Sequence, residues 1–223
     1  MMKKLLLGLL VLALIVGLSA WGVTVSGHRW QAGRLQRVTS QTVDLTTVPQ
    51  RLNLRIRTAQ VTVQAGKRAQ VTLTNVTPNQ FQVHTGKTLT IRQPNAAQHR
   101  LELGASPRIV VTLPAPVNLA ATDIFLLNGT LTLNHLTSQR LTVEQVNGTT
   151  RSTGLTLPRG GTFTKKNGQT TFQHLQSSGI SVTVKTGGVT VNGRKGADQR
   201  HYSRAGQHPF VIQNHTGQVK LTD

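Results

Sequence analysis

Glycines recur through the second half of this chain at a nearly constant interval. Asn128-Gly129, Asn147-Gly148, Asn167-Gly168, Thr186-Gly187 and Thr216-Gly217 are separated, glycine to glycine, by 19, 20, 19 and 30 residues. A fixed period of this length demands a repeating structural unit. After each glycine the second and fourth positions pair as Leu131 and Leu133, Thr150 and Ser152, Thr170 and Phe172, Val189 and Val191, Val219 and Leu221. In a strand such positions share one face, whereas the intervening Thr130, Thr132, Arg151, Thr171, Thr190 and Lys220 face the other way.

Further alternating runs lie between the glycine turns, among them Leu141-Thr142-Val143, Leu155-Thr156-Leu157 and Ile180-Ser181-Val182-Thr183-Val184. Two short strands and two turns per unit suit one coil of a solenoid stacked on its neighbours. Asn-Gly favours positive φ and could turn the chain at the same corner of every coil, although the same dipeptide also marks ordinary hairpins. A meander sandwich is therefore the rival; the constant spacing favours the solenoid. Upstream, Leu52-Asn53-Leu54-Arg55-Ile56, Thr88-Leu89-Thr90-Ile91 and Ile109-Val110-Val111-Thr112-Leu113 also alternate, and Pro114 ends the last run.

At the N-terminus Lys3 and Lys4 precede an uncharged stretch from Leu5 to Val23, which is 23 − 4 = 19 residues. At about 1.5 Å per residue it is long enough to cross a hydrocarbon core of about 30 Å. A cleaved signal peptide is the competing reading, but Leu18-Ser19-Ala20 and Ala20-Trp21-Gly22 are imperfect cleavage sites. The expected organisation is a cytoplasmic tail at 1–4, an anchor at 5–23, a polar stalk at 24–40 and a β-domain at 41–223. Trp21 and Trp30 are residues that favour a membrane interface.

The leading anchor, the strands at Leu52–Ile56 and Thr88–Ile91, the strand ending in Pro114 and the serial Gly-x-apolar-x-apolar rungs resemble a bacterial family of candidate adhesins, the DUF4097 domain. The resemblance spans about Thr42 to Asp223 and lies in the order and spacing of degenerate motifs. It implies an all-β fold, a right-handed parallel β-helix-like solenoid with coils of about 20 residues, on an extracytoplasmic surface. It brings no active-site residues. The chain departs from the family pattern in its basicity and in Gly-Thr, Gly-Gln or Gly-Gly where Gly-Asp is usual.

Charge sets the expected partner class. With 25 Lys plus Arg against 6 Asp plus Glu, a formal net +19, the chain attracts polyanions without choosing among them. Outside a membrane, wall polymers, surface glycans and lipid headgroups are expected rather than nucleic acid. No cysteine is present, so disulfides, thiolate metal sites and lipid attachment through cysteine are excluded.

Asp44, Glu102, Asp123, Glu144, Asp198 and Asp223 occupy no stacked positions, although Asp123 and Glu144, one coil apart, could be neighbours. They read as scattered solvated carboxylates rather than the facing pair of a glycosidase. His135 and His174 both stand sixth after a rung glycine; with Gly154 between them they would be about 9.5 Å apart, too far for one metal ion. No nucleophile elbow or phosphate-cradling loop is present. No enzyme activity, metal or cofactor is therefore expected.

The 30-residue interval exceeds a coil by about ten and holds Arg194, Lys195, Arg200, Tyr202 and Arg204. A basic loop with an aromatic, projecting from a rigid stack, is the expected polyanion-binding element. The resulting expectation is a single-pass cell-membrane protein whose extracytoplasmic domain binds anionic envelope polymers or glycans. The alternative is an envelope-stress or signalling accessory acting through a protein partner.

Overall fold

A computed structural model describes residues 27–31, 33–97, 102–195 and 198–222. The tail at 1–4 and the anchor at 5–23 lie outside the described residues, among which no helix is long and apolar enough to cross a membrane.

The described chain is all strand and turn. Its elements are β1 (His28–Gln31), β2 (Arg34–Arg37), β3 (Thr39–Asp44), β4 (Arg51–Gly66), β5 (Gln70–Val76), β6 (Gln82–His84), β7 (Thr88–Arg92), β8 (Glu102–Leu103) and β9 (Arg108–Pro114). There follow β10 (Val117–Leu119), β11 (Ala121–Ser138), β12 (Leu141–Leu157), β13 (Gly161–Gln173), β14 (Gln176–Ser177), β15 (Gly179–Val191), β16 (Arg194–Lys195), β17 (His201–Arg204) and β18 (Pro209–Thr222). The segment expected to be an aperiodic stalk instead carries β1, β2 and the start of β3. Its short polar alternation lacked an apolar face to announce it.

Long strands stack in parallel, in register and glycine on glycine, as a solenoid requires and a meander sandwich forbids. Gly129 pairs with Gly148, Gly168 with Gly217, and Gly187 with Gly217. The stacking order is β15, β18, β13, β12, β11, β4. Coils were expected to follow one another in chain order. Instead the last strand, β18, inserts between β13 and β15, and the long interval is the excursion that makes this possible.

The glycine ladder has a steric cause. Gly129, Gly148, Gly168, Gly187 and Gly217 have φ between 123° and 135°, a region nearly closed to residues with a Cβ. A Cβ on Gly148 would lie 1.8 Å from the carbonyl oxygen of Gly129, and one on Gly168 would lie 1.9 Å from that of Gly148. The preceding Asn128, Asn147 and Asn167 do not supply the positive φ. Their side chains form an amide ladder, Asn147 Nδ2 donating to Asn128 Oδ1 and Asn167 Nδ2 to Asn147 Oδ1, each at 2.9 Å.

The sequence register places the core correctly. Leu131, Leu133, Phe172, Val189, Val219 and Leu221 are buried, Val191 packs at the margin, and Thr132, Thr171 and Thr190 are half-exposed. Phe163, Phe172 and Phe210 stack edge to face, with centroids 5.6 and 5.5 Å apart, a geometry that adds to their burial.

The N-terminal end departs from plain coils. β4 meets β7 and β9 in parallel, but β5 and β6 run antiparallel to β9 and β7, and β3 antiparallel to β5. A separate sheet, in the order β2-β1-β8, lies beside them. Glu102, expected to be solvated, is buried and binds two arginines. Arg29 Nη2 donates to its Oε2 at 2.5 Å, and Arg57 Nη2 donates to its Oε1. This triad latches the small sheet to the rung β4.

Candidate polyanion-binding surface

The five residues expected to bind polyanions do not project from the stack. They fold back across the free edge of β15. β17 pairs antiparallel with Ile180–Thr183 and β16 with Thr190–Val191, while Val184 N donates to Arg200 O at 2.9 Å and Val189 N to Gln199 O at 2.8 Å. An uncovered edge strand is a template for aggregation, and this excursion covers it.

Capping divides the five by role. Tyr202 turns inward against the core, so the aromatic is packing material for the cap rather than a presented ring. Arg204 is exposed and donates to Ser177 O at 2.9 Å. Arg194, Lys195 and Arg200 are exposed. The cap also carries an acid, Asp198, 3.6 Å from His201 Nε2.

The insertion of β18 extends this basic end in a way chain order conceals. Val184, bonded to Arg200 O, pairs with Asn214, which pairs in turn with Lys165. The residue after each is exposed: Lys185, His215 and Lys166. Lys185, His215 and Lys166 thus sit on successive strands, at a strand spacing of about 4.8 Å, with Arg200 beside them in the bend that leads into β17. His215 stands between two shallow recesses of about 290 and 270 Å³; Lys166 and Glu144 line the first, Lys185, Thr183 and Gln213 the second. Lys166 and His215 are about 50 residues apart in sequence, so only knowledge of the β18 insertion could have joined them.

Beneath this row lies a buried polar column. Gln145, Lys165 and Asn214 are each 2% exposed or less. Each stands three residues before its own rung's glycine and donates to the glycine carbonyl of the preceding rung: Gln145 Nε2 to Gly129 O at 2.9 Å, Lys165 Nζ to Gly148 O at 3.3 Å, Asn214 Nδ2 to Gly168 O at 3.2 Å. The mirror-image glycine conformation sets these carbonyls against the next glycine, where an added Cβ would fall, and the side chains donate to them there.

Lys165 Nζ also donates to Thr150 Oγ1 at 3.0 Å and Gln169 O at 2.8 Å, and lies 5.5 Å from the Phe163 ring centroid. Burial lowers its pKa from 10.5 to about 7, because desolvation disfavours the charged form. Its polar partners are neutral, so no carboxylate offsets that effect. With its donors occupied by inward acceptors, Lys165 serves the scaffold rather than the surface.

Asp123 and Glu144 line one shallow recess with Arg55 and Phe125, Arg55 lying 5.5 Å from the Phe125 ring centroid. His135, Gly154 and His174 all have φ near 51–66° and so occupy equivalent corners, with both histidines exposed. Among the described residues no three His, Asp or Glu are grouped to hold a metal ion.

A model of the Toastrack DUF4097 family matches residues 50–223. The chain is similar in fold to a candidate cell-adhesion protein from Clostridium sporogenes, with a TM-score of 0.66 at 13% identity over 83% of this chain and 99% of the other. Candidate adhesins from Bacteroides fragilis and Parabacteroides distasonis align over 83% of this chain and 97% of each, at TM-scores of 0.38 and 0.28 and identities of 10% and 9%. No curated protein matches the chain.

Proposed function

The chain belongs to the Toastrack DUF4097 family, and on that premise we propose that it is a non-catalytic surface module, held to a membrane by Leu5–Val23, whose basic end binds anionic envelope polymers or glycans. The supporting observation is the row Lys185, His215 and Lys166, which the β18 insertion assembles on the strands next to the cap that carries Arg194, Lys195 and Arg200. Stacked strands hold these charges at a fixed repeat. A flexible polymer with regularly spaced anions can engage several at once, so modest single contacts multiply.

Retention of the full chain on purified anionic wall polymer tests this. Changing Lys166, Lys185, Arg194 and Arg200 to Gln should weaken retention more than changing Arg51, Arg108, Arg140 and Arg159, which are exposed elsewhere. Both sets remove four charges. Wild-type retention should also fall with salt, since exposed charges are screened within about 8 Å at physiological ionic strength. Equal losses from the two sets would leave only a diffuse polycation, and retention insensitive to salt would remove the electrostatic reading.

A further inference from the structure

The small sheet β2-β1-β8 is built inside out. Strand alternation normally sends the aromatic inward and the cation to solvent. In β1 the reverse holds, for Arg29 is 2% exposed and Trp30 is 41% exposed. The inward face is occupied by the ion triad, in which Arg29 binds Glu102 and donates from Nη1 to Ala105 O at 2.8 Å. Turning Arg29 outward would leave Glu102 Oε2 and Ala105 O without the donors they have now, with Arg57 alone on the buried carboxylate, so the register of β1 is firmly held. Trp30 is thereby held on the outer face.

Trp30 is not alone there. It pairs directly with Leu35 on β2 and with Leu103 on β8, and direct cross-strand partners share a face. Leu35 is 51% and Leu103 41% exposed. Thus three of the four large apolar residues exposed among the described residues meet in one three-stranded sheet. Arg37, two residues after Leu35 and exposed, lies on the same face, and exposed Arg34 stands at the hairpin end.

The position of this face in the chain identifies what it meets. Trp30 follows Val23 by seven residues, a reach of at most about 25 Å even when fully extended. If Leu5–Val23 crosses a membrane, the face can never leave the neighbourhood of the bilayer surface. Trp is enriched at the headgroup level of membranes, and juxtamembrane cations are attracted to an anionic leaflet.

We infer that the outer face of the β2-β1-β8 sheet, with Trp30, Leu35 and Leu103 at its centre and Arg37 beside them, docks into the interface of an anionic lipid bilayer. This rests on the anchored reading proposed above. Docking sets the solenoid in a fixed attitude on the membrane instead of leaving it to swing on a tether.

The chain has two tryptophans, so Trp21→Phe makes Trp30 the sole indole. The full-length variant is reconstituted into phosphatidylglycerol–phosphatidylcholine vesicles and floated on a density gradient. Trp30 fluorescence is then measured with lipids brominated near the headgroup and with aqueous acrylamide. The expected result is flotation, strong quenching by brominated lipid and protection from acrylamide, with Leu35→Ser plus Leu103→Ser reversing both while the β circular-dichroism signal persists. Flotation with Trp30 open to acrylamide and untouched by brominated lipid would overturn the docking and leave the anchor standing. Protection that grows with protein density without brominated-lipid quenching would assign the face to a second copy of the chain and overturn it equally. Failure to float would overturn anchor and docking together.

Discussion

The rungs β4 and β11 and the rungs β12, β13 and β18 stack in one register but fill their interiors differently. In the first pair the interior columns are Ile56 and Leu126, Val61 and Leu131, Val63 and Leu133, all apolar. In the second group they are Gln145, Lys165 and Asn214, then Thr150, Thr170 and Val219, then Ser152, Phe172 and Leu221. The glycine ladder runs through β11 and all of the second group and stops at β4, where Ala59 stands opposite Gly129 without a positive φ. Backbone sterics at the glycines therefore specify the corner, and the side chains enclosed by it are free to differ. Gln145, Lys165 and Asn214 donate to the ladder's carbonyls, and Thr150 Oγ1 donates to Gln145 Oε1; at Ala59 the corresponding residue is Leu126, which has no donor to offer.

That comparison predicts its largest effect at the ladder itself. Gly129→Ala and Gly148→Ala should each abolish folding or cost more than about 4 kcal/mol in denaturant melts, since the new methyl would meet backbone at 1.9 and 1.8 Å respectively. Gly154→Ala is the contrast. Its φ is also positive, but the added Cβ meets only the His135 imidazole, Nδ1 at 2.9 Å. The ring can move, so the cost should be the conformational one of about 1–2 kcal/mol. A tolerated Gly148→Ala beside an intolerant Gly129→Ala would show that the polar rungs hold their corner by side-chain bonds instead.

Phe172 tests whether the polar group still depends on apolar packing. It is fully buried between Phe163 and Phe210, two residues along the same inward face from Thr170. Phe172→Ala should cost about 3–5 kcal/mol, and Thr171→Ala, outward on the same strand, within about 0.5 kcal/mol. Equal effects in the two melts would mean that the polar rungs are not held by their core.

Much of this was legible in the sequence. The alternation Leu131-x-Leu133 and Val219-x-Leu221 gave the inward face, and the glycine period gave the corner. Burial of Lys165 was encoded as well, for Phe163 and Lys165 alternate as Leu141, Val143 and Gln145 do one rung away, although charge argues for exposure when read residue by residue. The order of the rungs was not encoded in spacing. An interval of 30 residues states that something intervenes, not that the returning strand enters beneath its predecessor. The inverted β1 was hidden for a different reason: Arg29 faces inward only because Glu102, 73 residues later, supplies its counter-charge.

Lys165 makes the polar group sensitive to pH. Its folded pKa is lowered to about 7, so between about pH 7 and 10.5 the unfolded chain holds a proton that the folded chain has released. Stability then rises with pH across that window. The penalty is full below pH 7 and relieved towards 10.5, a span on the order of 5 kcal/mol at about 1.4 kcal/mol per pH unit. Lys165→Met should flatten this rise in melts from pH 7 to 10, even if the loss of three hydrogen bonds lowers stability throughout. An unchanged slope would move the titration to another group.

The smallest effect belongs to the outer side of the same corner. Asn147 gives one amide bond to Asn128 and takes one from Asn167, at a half-buried site where water competes. The flanking rungs place Thr58, Thr186 and Thr216 at this position, so the backbone accepts threonine. Asn147→Thr should therefore cost only about 1–2 kcal/mol, the net worth of two ordinary hydrogen bonds. Thr216→Asn, facing Asn167 across one rung, should lengthen the ladder and stabilise by up to about 1 kcal/mol. If Asn147→Thr instead proved as damaging as Gly148→Ala, the amides rather than the glycines would be setting the corner, and the common backbone on which the two interiors are compared would have a different cause.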